Sequence, residues 1–64
     1  MYLNGKQLSL ENDISLGDFL KRENYDAQRV AVEKNGSIVP RKSFDTEMLS
    51  DKDKIEVVHF VGGG

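Results

Sequence analysis

The sequence has 64 residues, a formal net charge of −2 and no cysteine. That length holds one domain with a thin core, and the lack of thiols excludes disulfide staples, thiolate zinc ligation and a persulfide on the chain itself. Nine basic residues interleaved with eleven acidic ones leave no basic face for nucleic acid, and no apolar run suits a secretion signal or a membrane span, so the chain reads as cytoplasmic and soluble.

The chain opens as a hairpin. Met1 and Leu3 alternate with Tyr2, Leu8 and Leu10 alternate with Gln7 and Ser9, and Asn4-Gly5 between them suits a turn with positive φ at both central residues. Met1, Leu3, Leu8 and Leu10 then share the core face. After a polar connector at 11–13, a helix is signed by Ser15 as N-cap, Asp18 as its capping-box partner, and Ile14 and Phe19 as a hydrophobic staple. Leu16, Phe19 and Leu20 form its apolar stripe, and Lys21, Arg22 and Glu23 its wet side. Gly17 weakens the helix, and Asn24 ends it in a left-handed conformation after about nine or ten residues.

Residues 30–33 read as the next strand, with Val30 and Val32 inward. Asn35-Gly36 is a second hairpin turn, followed by a short strand at 37–39 that Pro40 stops. A short helical turn over 43–49, capped by Ser43, brings Phe44, Met48 and Leu49 to the bottom of the core. A polar turn at 51–53 leads to the last strand, 54–61, where Ile55, Val57 and Val58 are β-branched. The expected order is strand, strand, helix, strand, short strand, strand, with the single helix burying its stripe on one face of the sheet.

Two features are not accounted for by folding alone. Gly62-Gly63-Gly64 directly follows the strongest strand, and three glycines are the costliest residues to order. They read either as a frayed end or as a thin arm, free of Cβ atoms, that enters a narrow active site on another protein. The second feature is the outer side of the last strand. With Ile55 and Val57 inward, Val58 and Phe60 point outward, and Ala31 joins them if the third and last strands are neighbours. Such a patch suits partner docking; for Phe60 the alternative is a ring folded back over the core edge. His59, the single histidine, lacks an Asp, Ser or Cys arrangement for catalysis, and its parity makes it a partly buried packing residue at the core-side edge. Asp51, Asp53 and Glu56 do not match calcium-loop spacing, and the isolated Gly5, Gly17 and Gly36 make no phosphate loop.

Leu3-Asn4-Gly5, Ile38-Val39-Pro40-Arg41 and the run from Ile55 to Gly64 resemble the ThiS family, the ubiquitin-like sulfur carriers of the thiamine pathway. The likeness covers the whole chain, and its most specific parts are the Val-Pro-Arg segment and the glycine end. The resemblance implies an α+β, β-grasp fold: a mixed sheet of about five strands on one main helix, with a short helical turn. It implies a domain over 1–61 and a flexible glycine tail over 62–64. It also implies a cycle in which the chain is a substrate and not an enzyme. A ThiF-type adenylyltransferase uses ATP and magnesium to activate the Gly64 carboxylate, a donor such as a cysteine desulfurase supplies sulfur, and the resulting thiocarboxylate gives its sulfur to thiazole synthase. Gly62 and Gly63 would lie in the partner's active site, and Ala31, Val58 and Phe60 would dock it. The carrier itself needs no cofactor or metal. Carriers for molybdopterin or cysteine synthesis, a ubiquitin-like modifier of lysines, and a plain interaction domain are the competing readings.

Overall fold

The computed structural model describes residues 1–60. The boundary expected between a domain over 1–61 and a tail over 62–64 therefore lies outside the described residues. The elements in chain order are β1 (Tyr2–Leu3), β2 (Lys6–Gln7), β3 (Ile14–Ser15), α1 (Leu16–Arg22), β4 (Val30–Lys34), β5 (Ser37–Val39), a 3-10 turn (Arg41–Ser43), β6 (Met48–Leu49) and β7 (Lys54–His59).

Five strands form one mixed sheet in the order β2-β1-β7-β4-β5. β1 runs parallel to β7, and the other pairs are antiparallel. The last strand thus lies in the middle, between the first strand and β4. Both Asn-Gly turns have the expected backbone: φ is 50° and 80° at Asn4 and Gly5, and 52° and 88° at Asn35 and Gly36. α1 covers one face of the sheet. Leu16, Phe19 and Leu20 meet Val30 and Val32 of β4 and Ile55 and Val57 of β7 in a single core, each full burial contributing roughly 1.5–3 kcal/mol. No helix among the described residues is long and apolar enough to cross a membrane.

The helix ends follow the local signals. Ser15 Oγ accepts the Asp18 N–H at 3.1 Å, as an N-cap does. Asn24 sits at φ 64°. The bonds Asn24 N–H to Lys21 C=O (3.1 Å) and Tyr25 N–H to Leu20 C=O (2.8 Å) close a Schellman motif. The helix proper has seven residues, with Ser15 and Glu23 as its caps, so the nine or ten expected is reached only when the capping residues are counted.

Three expectations are corrected. First, β2 ends at Gln7. Met1 and Leu8 still exchange backbone bonds of 2.9 and 3.0 Å, but the chain then leaves the sheet. The Leu10 N–H goes to the Asp51 carboxylate at 2.9 Å instead of to a strand, and this bond lets the Leu10 side chain sink into the core. Second, the helical turn over 43–49 is divided. The 3-10 turn precedes it, the Ser43 C=O accepts the Thr46 and Glu47 N–H groups, and Met48–Leu49 is extended, pairing Ile14 with Leu49 and Ser15 with Met48. Alternation along β6 buries Leu49 and leaves Met48 exposed, so Met48 is not a core plug, whereas Phe44 and Leu49 are buried as expected. Third, His59 is exposed and not partly buried; its ring lies 5.5 Å from that of Tyr25.

Candidate functional site

β7 alternates: Ile55 and Val57 are buried, Glu56 and Val58 are exposed. Its register with β4 sets Val58 opposite Ala31 and Glu56 opposite Glu33, and Glu33 is in turn opposite Ile38 of β5. Cross-strand partners share a face. Ala31, Val58 and Ile38 therefore lie on the side of the sheet away from α1. Phe60, one residue past β7, keeps the outward parity and lines a shallow groove with Ala31, Ile38, Pro40 and Arg41. Ile38 is 73% exposed, Val58 62% and Phe60 59%. Phe60 is largely exposed, and the groove it lines is also lined by Val30, Val39 and Phe44 of the core.

The structure brings together Ala31, Val58 and Phe60, and it adds Ile38. The signal for Ile38 was already present in Asn35-Gly36, since a two-residue turn sets residue 33 opposite 38 and so gives Ile38 the outward parity of Glu33. Gly62, Gly63 and Gly64 lie outside the described residues.

Side chains from both Asn-Gly turns hold β7 in place. Beyond β1, which is only two residues long, Asn4 acts as a further strand residue: its Oδ1 accepts the Val57 N–H at 2.7 Å and its Nδ2 donates to the Val57 C=O at 3.2 Å. At the start of β7, Asn35 Oδ1 accepts the Lys54 N–H at 2.9 Å, and the Asn35 N–H donates to the Lys54 C=O at 2.8 Å. Asn35 Nδ2 also donates to Asp53 at 3.0 Å. At the far end, the Phe60 N–H donates to the Arg29 C=O at 2.9 Å. The outward row is thereby fixed relative to the sheet beneath it.

Charges join the large sheet to the small one. Lys34 Nζ donates to Glu47 at 2.8 Å and to the Met48 C=O at 2.9 Å, and lies 3.9 Å from Asp53. The hydrogen bond to Glu47 raises the Lys34 pKa above its ordinary value, partial burial opposes it, and the Asp53 charge adds to the rise. Burial opposes ionisation of Asp53, yet the bonds from Asn35 and Ser50 together with the Lys34 charge outweigh it and hold the carboxyl below its ordinary range. Asp51 is lowered by the Leu10 N–H and by the N-terminal ammonium 3.2 Å away.

Among the described residues no three His, Asp or Glu side chains gather as a metal site. On the described surface, Ile38, Val58 and Phe60 give the sheet an exposed apolar face.

A sequence model of the ThiS family matches residues 1–64. The chain belongs to the ThiS family. A protein of Bacillus subtilis named sulfur carrier protein ThiS is 37% identical over 65 residues, covering 100% of this chain and 98% of that relative. A thiazole synthase of Magnetococcus marinus is 38% identical over 64 residues, the whole of this chain but only 20% of that relative, so the chain spans about a fifth of its length. The crystal structure of a thiamine biosynthesis protein (ThiS) from Geobacter metallireducens superposes with a TM-score of 0.84 at 30% identity, over 98% of this chain and 96% of that one. The arrangement of one helix on a five-stranded mixed sheet is the β-grasp of this family.

Proposed function

We propose that this ThiS-family chain is a sulfur carrier of thiamine biosynthesis, working in the cytoplasm, whose reacting group is the Gly64 carboxylate. The observation that carries this reading is the family match over residues 1–64, which includes the glycine run. A carboxylate is a poor electrophile. A ThiF-type adenylyltransferase would join it to the α-phosphate of ATP, expelling pyrophosphate, with ATP and magnesium held in that enzyme's own site. The persulfide of a sulfur donor such as a cysteine desulfurase then displaces AMP to give an acyl disulfide. A thiol reductant cleaves its S–S bond, itself becoming a disulfide, to leave a thiocarboxylate whose soft sulfur is nucleophilic enough for thiazole formation. The carrier turns nothing over. The ThiS-like stretch within the Magnetococcus thiazole synthase favours thiazole synthase as the consumer over enzymes of molybdopterin or cysteine synthesis.

Ala31, Ile38, Val58 and Phe60 form the docking face in this reading, and Gly62 and Gly63 occupy the partner's channel. Glycines suit that place because no Cβ blocks approach to the acyl carbon. The test is mass spectrometry of the peptide ending at Gly64 after incubation with ATP, the activating enzyme and a sulfur source. Exchange of one oxygen for sulfur at Gly64 is expected, and deletion of Gly64 abolishes it while the fold persists. Adducts on target lysines would instead identify a protein modifier, and no change at all an idle interaction domain; sulfur loading unaffected by the deletion would refute the carrier reading.

A further inference from the structure

We propose that Arg41 is a positioning residue: it fixes the point and direction at which the chain leaves the sheet at Phe60, so that the glycine end enters a partner's active site from one starting geometry. This rests on the carrier reading above.

Pro40 ends β5 with φ −62° and ψ 144° and turns the chain so that Arg41 faces back across the head of β4. The Arg41 guanidinium makes two hydrogen bonds there. Nε donates to the Ala27 C=O and Nη2 to the Val30 C=O, each at 3.0 Å. These two carbonyls flank Arg29, whose own C=O receives the Phe60 N–H at 2.9 Å. One side chain thus grips both sides of the carbonyl that anchors the last described residue. The same guanidinium carbon lies 6.0 Å from the centre of the Phe60 ring, at the outer limit of a cation–π contact. Backbone and ring of Phe60 are therefore both referred to Arg41.

An anchor for the 27–30 segment alone would need no relation to Phe60. A lysine could not take its place, because an ammonium lacks the planar fork that reaches two carbonyls while lying beside a ring. Delivery of an acyl group into a distant pocket is sensitive to such placement, since a displacement of about 1 Å at the reacting atoms costs up to a hundredfold in rate.

The experiment compares wild type, Arg41→Met and Arg41→Lys in ATP–pyrophosphate exchange with a ThiF-type adenylyltransferase, alongside amide hydrogen exchange at Phe60 measured by NMR. Arg41→Met is expected to stay folded, to speed Phe60 exchange by about tenfold or more, and to lower kcat by about ten- to a hundredfold with KM within about threefold. Arg41→Lys should fall between the two. A folded Arg41→Met with wild-type Phe60 exchange and kcat overturns the proposal, as does a raised KM with unchanged kcat, which would make Arg41 part of the docking face. If Arg41→Met does not fold, Arg41→Lys carries the same comparison. A wild type that is never adenylated defeats the carrier reading instead, and Phe60 exchange then decides by itself whether Arg41 sets the exit.

Discussion

Asn4 does two jobs that no other residue type combines. It adopts positive φ, which asparagine tolerates better than most residues, and its amide supplies one donor and one acceptor to Val57, in the middle of β7. Asn4→Gly keeps the backbone conformation and removes both bonds, leaving Val57 groups without protein partners. Urea denaturation should then give a loss of about 1–3 kcal/mol. Asn4→Ala loses the same bonds and adds backbone strain of roughly 1–2 kcal/mol, so the alanine variant should be the weaker of the two; equal stability of all three proteins would dismiss this role. The outer face behaves in the opposite way. Val58 and Phe60 are largely exposed, so Val58→Asp or Phe60→Asp should shift stability by no more than about 0.5 kcal/mol while weakening binding to the activating enzyme. Calorimetry on the free protein and titration with the partner separate the two effects, and a loss of about 2–5 kcal/mol, as for a core truncation, would show the side chains to be buried after all.

Among the elements, α1 and the hairpin turns were legible because their signals are local. Ser15, Asn24, Asn4-Gly5 and Asn35-Gly36 each set a backbone conformation within a few residues, and the structure has all of them where the sequence places them. Ser15→Ala should accordingly cost about 1 kcal/mol in thermal or urea unfolding, and no measurable change would mean that tertiary packing alone holds the helix start. What the sequence did not disclose depends on partners far along the chain. β3 and β6 are two residues each, too short for any periodicity, and their pairing spans the whole interval from Ile14 to Leu49. Leu10 looked like a strand residue because nothing local announces the Asp51 carboxylate that holds it. Gly17 looked like a weak point in a helix. Its N–H donates to the Phe44 C=O at 2.7 Å, and the Asp45 carboxylate lies where a Cβ would go, so its small size serves a close approach that only the folded chain reveals. For the site, the outward parity of Ala31, Val58 and Phe60 was readable from alternation, whereas the link from Arg41 to Phe60 needed three-dimensional contacts.

At the scale of the whole molecule, the Lys34–Glu47–Asp53 charges join the two sheets of the described residues, the N-terminus pairs with Asp51, and these groups set the response to pH. Asp53 and Asp51 are lowered from an ordinary carboxylate value of 3.8. A lowered carboxyl contributes stability that is present above its unfolded value and is lost as pH falls through its folded value. Lys34 is raised from 10.5, so its contribution is present below that value and is lost as pH rises through the higher folded one. A plateau in melting temperature across neutral pH is expected, with a decline in acid below about pH 4. Asp53→Asn should flatten part of the acid limb, and its deficit relative to wild type should shrink as pH falls; a deficit independent of pH would assign Asp53 a purely steric role. The position of β7 carries a further consequence for synthesis. Because Lys54–His59 is the middle strand, a nascent chain has nothing to close its sheet around until these residues clear the ribosome. A product terminated early, or clipped ahead of residue 54, loses the strand on which β1 and β4 both pair; on the carrier reading proposed above it would lack both the docking face and the glycine end.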